Sequence, residues 1–400
     1  MTDPAQTPTL PLSGITVVSL EHAIAAPFAS RQLADLGARV IKVERPGEGD
    51  FARRYDTRVD GLASHFVWVN RSKESLTLDL KNELAMSALR RLLQKSDVLL
   101  QNLAPGAAAR MGLSYEQLKT QFPRLIVCDI SGYGADGPDR DRKAYDLLIQ
   151  SEAGFLSITG TPESPSKAGC SIADIAAGMY AFSSIQSALL LRAKTGQGSG
   201  IDVSMLESLA EWMGYPLYYS YNDAPPPERA GASHATIFPY GPFRAGDGRS
   251  VMLGLQNDRE WLAFCEKVLQ NSLLANDARF KTNALRSANR AELTGLIEQA
   301  FSGFSAAQVA AKLNEADIAN ANMNNMHDLW NHEQLRARNR WVPVNTPVGP
   351  VPALKPPGRS TAYEPRMDAI PAVGAQTDAI LEELGFDAST IKRLRAAKAI

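Results

Sequence analysis

Asp174 stands in Ser171-Ile-Ala-Asp-Ile-Ala-Ala-Gly178, downstream of Lys143-Ala-Tyr-Asp146. A carboxylate at the mouth of a long apolar run can hold a helix end, or it can attack a carbonyl. Ser171 and Asp174 fit a capping box, with Ser171 as N-cap and Asp174 at the third helical position. The same position suits a nucleophile. A helix N-terminus favours an anion by about 0.3–1 kcal/mol, against the pKa rise that burial causes. An aspartate starts from a pKa of about 3.9, so even a rise of about two units leaves it mostly ionised at neutral pH. The cap and the nucleophile are compatible roles. Gly178, one turn on, leaves room for another backbone or a ligand.

Basic residues gather at predicted strand ends: Lys42, Arg45, Arg53 and Arg54, then Arg71 and Lys73, then Arg110, then Arg140, Arg142 and Lys143. Any one of them is by default merely solvated; several converging on one sheet edge suit a ligand with several phosphates. Gly132-Tyr-Gly-Ala-Asp-Gly137 matches a dinucleotide fingerprint after a predicted strand. A helix must open next to hold a pyrophosphate, and Pro138-Asp-Arg-Asp-Arg142 follows instead. These glycines rather let a loop fold close to the active site. The histidines His22, His65, His234, His327 and His332 lack metal-ligand spacing, so no metal is expected. His234, in Gly231-Ala-Ser-His-Ala-Thr236, is the most loop-like and suits a pocket wall or a neutral surface role equally. No G-x-S-x-G elbow or H-E-x-x-H is present, which argues against the common hydrolases.

The elements that must carry these groups are legible as alternating strands and helices. Strands are predicted at Gly14–Leu20, Arg39–Val43, Leu76–Leu80, Val98–Asn102, Leu125–Ile130 and Gly198–Val203. Helices are predicted at Pro27–Leu36, Glu83–Lys95, onward from Asp174, and over Met205–Tyr219. Short β-rich runs between amphipathic helices imply an α/β fold, a parallel sheet covered on both faces. Ligands then sit beyond the carboxyl ends of the strands. Asp223-Ala-Pro-Pro-Pro-Glu228 reads as a stiff hinge, and the proline-rich run Val342–Pro357 as a second one. Between them lie a hairpin around Ala245-Gly-Asp-Gly248 and several helices, and a helical pair, Thr377–Ala397, closes the chain. The expected organisation is a large domain over 1–220, a linker over 221–232, a small α+β domain over 233–325, a linker over 326–357, and a return to the large domain over 358–400.

With 400 residues and 44% hydrophobic content the chain can bury a large core. A net charge of −1 gives no global field toward nucleic acid or anionic lipid. Cys128, Cys170 and Cys265 have neither zinc-ligand nor disulfide spacing, which fits a cytoplasmic protein. Met1–Leu12 carries no signal pattern. The apolar run Ile172–Leu191 contains Asp174, Ser183, Ser184 and Gln186, so a buried helix rather than a membrane span is expected.

On these residues the chain resembles the family III coenzyme A transferases, the group that includes formyl-CoA and carnitine CoA transferases. The likeness runs through His22 and Ala25-Ala-Pro27, then Leu36-Gly-Ala-Arg-Val-Ile-Lys-Val-Glu-Arg-Pro-Gly47 with Gly49-Asp50, then Asn70-Arg-Ser-Lys73. Leu76-x-Leu-Asp-Leu-Lys81, Asp97-Val-x-x-x-Asn102, Pro105-Gly106, Arg110-Met-Gly112 and Ser131-Gly-Tyr-Gly134 follow in the same order. The resemblance implies a Rossmann-like large domain, a small domain, and ring-shaped chains interlocked as a homodimer. It puts the nucleophile on Asp174 and CoA contacts on Arg45, Lys73, Asn102, Leu103, Arg110 and Lys143, with Ala23 and Ile24 lining the channel. Coenzyme A is then a substrate, with no permanently bound cofactor. Ile24 departs from the glutamine of formyl-CoA transferases, and Gly231-Ala-Ser-His-Ala-Thr-Ile-Phe-Pro-Tyr240 replaces their glycine-rich lid.

The related α-methylacyl-CoA racemases carry G-H-D where this chain reads Ala144-Tyr145-Asp146. A tyrosine with pKa near ~10 is a poor base at neutral pH. A non-enzymatic acyl-CoA binding role is favoured only if Asp174 is purely a cap. The text Glu228-Arg-x-Gly-Ala-x-His-Ala-Thr-Ile-x-Pro-Tyr-Gly-Pro-Phe243, with Gly254-x-Gln-Asn257 and Glu260-Trp261, looks like the mesaconyl-, itaconyl- and citramalyl-CoA transferring branch. That implies succinyl-CoA as donor and a four- or five-carbon dicarboxylate as acceptor, in a pocket of Tyr145, Asp146, His234 and Arg229. Intramolecular transfer between the carboxylates of mesaconyl-CoA stays open beside it.

Overall fold

The computed structural model describes residues 9–400. Six strands, β1 (Thr16–Leu20), β2 (Arg39–Glu44), β3 (Lys73–Thr77), β4 (Val98–Gln101), β5 (Ile126–Ser131) and β6 (Gly200–Ser204), form one sheet. All neighbours run parallel, in the order 3-2-1-4-5-6. Val17, Val18, Ile41, Leu99, Leu100 and Val127 are fully buried, because helices cover both faces of such a sheet. The strand order reverses between β1 and β4, so the ligand crevice of this topology opens beyond their carboxyl ends.

The helix Ile172–Thr195 stops at Gly196, whose φ of +75° is the left-handed conformation that ends helices. It packs on the helix Ala25–Asp35 through small residues. A Cβ on Gly178 would lie 2.7 Å from the Ala25 carbonyl oxygen and 3.1 Å from a Phe28 ring carbon. The room left by this glycine is therefore filled by backbone, which locks the Asp174 helix to the turn after β1.

One strand and one helix differ from the elements the apolar pattern predicts. The strand expected at Leu76–Leu80 occupies Lys73–Thr77. Lys73 and Ser75 look solvent-facing in sequence but point into a buried polar network, Ser75 Oγ donating to Glu44 Oε2 at 2.5 Å. The Met205–Tyr219 helix is two, Met205–Trp212 and Gly214–Tyr219.

The chain divides into two compact units: residues up to Ala153 with Ala168–Met213 and Gln334–Ile400, and Gly154–Lys167 with Gly214–Glu333. The excursion Gly154–Lys167, assigned from sequence to the large domain, clusters with the second unit. Arg229 explains it: Nε donates to Thr161 O at 2.8 Å, Nη2 to Pro162 O at 2.8 Å and Nη1 to Ser157 O at 3.5 Å. The second unit has a three-stranded antiparallel sheet, β7 (Tyr240–Arg244), β8 (Ser250–Gly254) and β9 (Ala319–Asn322), over a core of Phe243, Trp261, Phe264 and Phe301. The stretch read as a linker over 326–357 carries an antiparallel hairpin, β10 (Trp341–Thr346) and β11 (Gly349–Leu354). Its prolines are tolerated because a two-stranded ribbon is all edge.

Candidate active site

The reversal point of the sheet is clamped by side chains. Asn102, just past β4, accepts from His22 N at 2.8 Å and donates to His22 O at 2.9 Å. Asp50 Oδ1 accepts from Ala23 N at 3.3 Å and Ala52 N at 2.9 Å. Ala23 is held at φ +58°, a strained conformation for a residue with a Cβ, of the kind that costs about 1–3 kcal/mol and clusters at functional sites. The helix that follows has no side-chain cap. Of its first three residues Ala25 and Ala26 carry an N–H, and Pro27 carries none. Ile24, in the same turn, is buried at 4% exposure.

Behind this turn lies a buried charge network. Lys42 Nζ donates to Asp50 Oδ2 at 2.8 Å, and Lys73 Nζ to Glu21 Oε1 at 2.7 Å, Asn70 Oδ1 at 3.0 Å and Pro27 O at 3.1 Å. Burial pushes the Lys73 ammonium down to about 7, with Glu21 opposing. Burial would raise Glu21, but Lys42 and Lys73 outweigh it and hold the carboxyl at about 2. Lys73 thus has every ammonium hydrogen engaged and a fully buried side chain. A phosphate contact from Lys73 does not fit this geometry; its charge serves the scaffold.

The remaining cations sort the same way. Arg71 grips Asp35 at 2.8 and 2.7 Å, and Arg53 grips Glu44 at 2.9 and 2.7 Å. Arg54 pairs with Glu48, Arg140 with Asp141, and Arg142 with Glu152. Arg45, Arg110 and Lys143 are exposed and form no ion pair among the described residues. They follow β2, β4 and β5 on the carboxyl side of the sheet, and Leu103 follows β4, half-buried.

The glycine loop after β5 is no pyrophosphate cradle. Its amides are engaged, Gly134 N with Ser131 Oγ at 2.9 Å and Ala135 N with Asp202 Oδ2 at 2.8 Å, and no helix opens before Asp146. A Cβ on Gly132 would come within 2.2 Å of Ala144 Cβ. This glycine lets the loop press against the Lys143–Asp146 stretch.

Asp174 sits at the mouth of its helix as expected, but the capping box does not form. Ser171 makes no side-chain cap bond. Asp146 takes its place from across the unit: Oδ1 accepts from Ala173 N at 2.8 Å and Asp174 N at 3.3 Å. Among the described residues the Asp174 carboxylate has no hydrogen bond or ion pair. Burial, with the Asp146 charge adding to it, pushes Asp174 up to about 7. The expectation of a mostly ionised group held down by its helix is corrected here, because Asp146 occupies the amides that would have stabilised it.

Tyr55 and Phe51 went unnoticed in the sequence. Burial raises the Tyr55 phenol, with Asp50, Asp174 and Tyr145 adding to the effect, so it stays a hydrogen-bond donor within the field of Asp174. Its ring meets Phe51 at 5.7 Å and His65 at 5.4 Å, and Phe51 stacks on His22 at 5.4 Å. Desolvation lowers the His22 imidazole despite Asp50, keeping it neutral at pH 7. The only signal for this arc was its position after the Gly47-Glu-Gly-Asp50 turn.

Tyr145 is 70% exposed, and Asp146 is committed as a cap, so no histidine–aspartate proton relay exists at the racemase position. Arg229 and His234 belong to the second unit. Arg229 is engaged with carbonyls, as described, which leaves it unsuited to hold an acceptor carboxylate. His234 Nδ1 accepts from Thr236 N and Ile237 N, both at 3.1 Å, and its ring stacks on Tyr240 at 5.3 Å. Only its Nε2–H is left as a donor to a ligand.

Comparison with known proteins gives the family. Residues 12–377 match the model of CoA-transferase family III. The chain is 32% identical to the succinyl-CoA:glutarate CoA-transferase of Mus musculus over 391 residues, 96% of this chain and 89% of that protein. It is 34% identical to the acetyl-CoA:oxalate CoA-transferase of Acetobacter aceti over 373 residues, 92% of this chain and 95% of that one. A solved CAIB/BAIF family protein from Brucella suis superposes with a TM-score of 0.83 at 34% identity, over 94% of this chain and 100% of that one. The chain belongs to CoA-transferase family III. It is an enzyme of the CoA-transferase class, and CoA thioesters are its substrates.

Proposed function

We propose that the enzyme moves CoA from succinyl-CoA to a four- or five-carbon dicarboxylic acid such as itaconate, mesaconate or citramalate, through an aspartyl-CoA thioester on Asp174. The observation that carries this is a carboxylate relieved of capping, unpaired, and raised in basicity by burial and Asp146. An Asp174 oxygen attacks the donor thioester carbonyl; the tetrahedral intermediate expels CoA thiolate and leaves a mixed anhydride. The thiolate attacks the aspartyl carbonyl, releasing succinate and forming the aspartyl-CoA thioester. The acceptor carboxylate then attacks that carbonyl, and the freed thiolate takes the acceptor acyl group, restoring Asp174. Each stage passes through an oxyanion, for which a backbone N–H donor commonly contributes about 2.7–4 kcal/mol.

Arg45, Arg110 and Lys143 hold the CoA phosphates in this reading, with Asn102, Leu103 and the Ala23–Ile24 main chain lining the channel. Remote binding of this kind supports chemistry at the reacting end. Tyr145 borders the acyl group. The enzyme works as a homodimer of interlocked chains in the cytoplasm; exposed Leu190, Leu191 and Trp212 on the first unit support a partner surface. No helix among the described residues is long and apolar enough to cross a membrane.

The acceptor is the finer part of the reading. The mouse relative's name pairs succinyl-CoA with a five-carbon diacid, which supports it, whereas the Acetobacter name pairs acetyl-CoA with oxalate. Succinyl-CoA and acetyl-CoA are offered against itaconate, mesaconate, citramalate, glutarate and oxalate, with products read by mass spectrometry. New acyl-CoA from the five-carbon acids but not from oxalate is expected. Oxalyl-CoA as the sole product overturns the acceptor assignment.

A further inference from the structure

We propose that Gln150 is a positioning residue for the transfer: it aims the Asp146 carboxylate at the first turn of the Asp174 helix, so that Asp146 caps that helix and Asp174 stays free to form an acyl bond. This inference rests on Asp174 being the nucleophile.

Gln150 is fully buried, at 0% exposure, on the short helix Asp146–Glu152. Both ends of its amide are used. Oε1 accepts from Ala168 N at 2.9 Å, and Nε2 donates to Asp146 Oδ2 at 2.7 Å. The backbone N–H of Ala168 can only donate, so the amide oxygen must face it and the NH2 must face Asp146. The amide orientation is therefore dictated by the chain. With Oδ2 held by Gln150, Oδ1 is left to receive Ala173 N and Asp174 N. These are the second and third amides of the helix, the donors that a local Ser, Thr or Asp cap ordinarily satisfies. A cap borrowed from a distant residue makes sense when the local candidates must be kept out of the role. If Asp146 swung away, the local acceptors left to this helix end would be Ser171 at the N-cap and the Asp174 carboxylate itself.

The charge environment is simple enough to test. Asp146 is the charged group acting on Asp174, and Asp174 in turn acts on the Tyr55 phenol. The helices Ala25–Asp35 and Met205–Trp212 and the strands β5 and β6, all packed against the Asp174 helix, add no charge that acts on it.

The test uses full-length enzyme with Gln150→Leu and Gln150→Glu, alongside Asp174→Asn. Gln150→Leu is expected to lower kcat by about a hundredfold, as misplacement of a reacting group commonly does, with KM for the acyl-CoA little changed. The acid limb of its kcat/KM profile is expected at lower pH than in the wild type, because Asp174 regains its helix amides and loses the facing charge. In Gln150→Glu the introduced carboxyl repels Asp146 when ionised and donates to it when protonated. Its activity relative to wild type therefore rises as pH falls. A purely structural role lowers activity by the same factor at every pH. Wild-type kcat and acid limb in Gln150→Leu, with Asp174→Asn inactive, overturn the inference alone. Full turnover by Asp174→Asn overturns the nucleophile on which it rests. Should Gln150→Leu fail to fold, a pH-independent ratio for Gln150→Glu overturns the inference.

Discussion

A carboxylate at the third position of a helix ordinarily gains about 0.3–1 kcal/mol from the amide dipoles. At Asp174 those amides face Asp146, and burial and a like charge then prevail, bringing the group up to about 7. The sign follows directly: only the carboxylate attacks a thioester, so kcat/KM is about half its plateau near pH 7, approaches the plateau above it, and falls toward tenfold per unit below it. A profile flat down to pH 5 in stopped-flow assays contradicts the assignment. Lys73 illustrates the opposite outcome, a motif residue whose charge is absorbed by the scaffold. Lys73→Ala breaks a buried ion pair with Glu21, which keeps Ser30 and Lys42 as donors, and takes from Asn70 Oδ1 its donor, a change that costs about 3–5 kcal/mol for a broken buried pair. A large fall in the urea midpoint is expected with KM for acyl-CoA nearly unchanged; a raised KM at normal stability contradicts this. Asp174 at a helix mouth and Arg45, Arg110 and Lys143 as exposed cations after strands were legible, because residue type and order alone place them. Asp146 as a cap was not, since a bond across 27 residues leaves no local pattern, and the four-residue step from Gln150 to Asp146 has no meaning until that cap is known.

Secondary elements were legible wherever burial follows hydrophobicity. The strands Thr16–Leu20 and Ile126–Ser131 lie within a residue or two of their apolar runs. β3 slipped because Lys73 and Ser75 are buried by pairing rather than by apolarity. β10 and β11 were hidden by Pro343, Pro350 and Pro352, which read as a strap yet fit a free-edged hairpin. The contact that matters most at this scale joins the Asp174 helix to the turn after β1 through Gly178. Gly178→Ala forces a methyl against the Ala25 carbonyl, an overpacking that costs about 1–3 kcal/mol. Calorimetry is expected to give a lower Tm together with reduced kcat, because the helix mouth shifts with its packing. Loss of stability with unaltered kcat contradicts the coupling.

At the scale of the molecule, the parallel sheet was legible from alternation, while the clustering of Gly154–Lys167 with the second unit was not: its tie is the Arg229 guanidinium, remote in sequence. The proposed dimer predicts a sedimentation-equilibrium mass of twice 43.3 kDa, and a monomer at micromolar concentration contradicts it. What the intact enzyme must do above all is carry acyl chemistry on its own chain. The most direct measurement incubates it with succinyl-CoA, quenches with hydroxylamine or borohydride during turnover, digests it, and weighs the peptides. An adduct confined to the peptide holding Asp174, and absent without acyl-CoA, is the predicted result. Steady turnover with that peptide unmodified, or modification mapping elsewhere, contradicts the account.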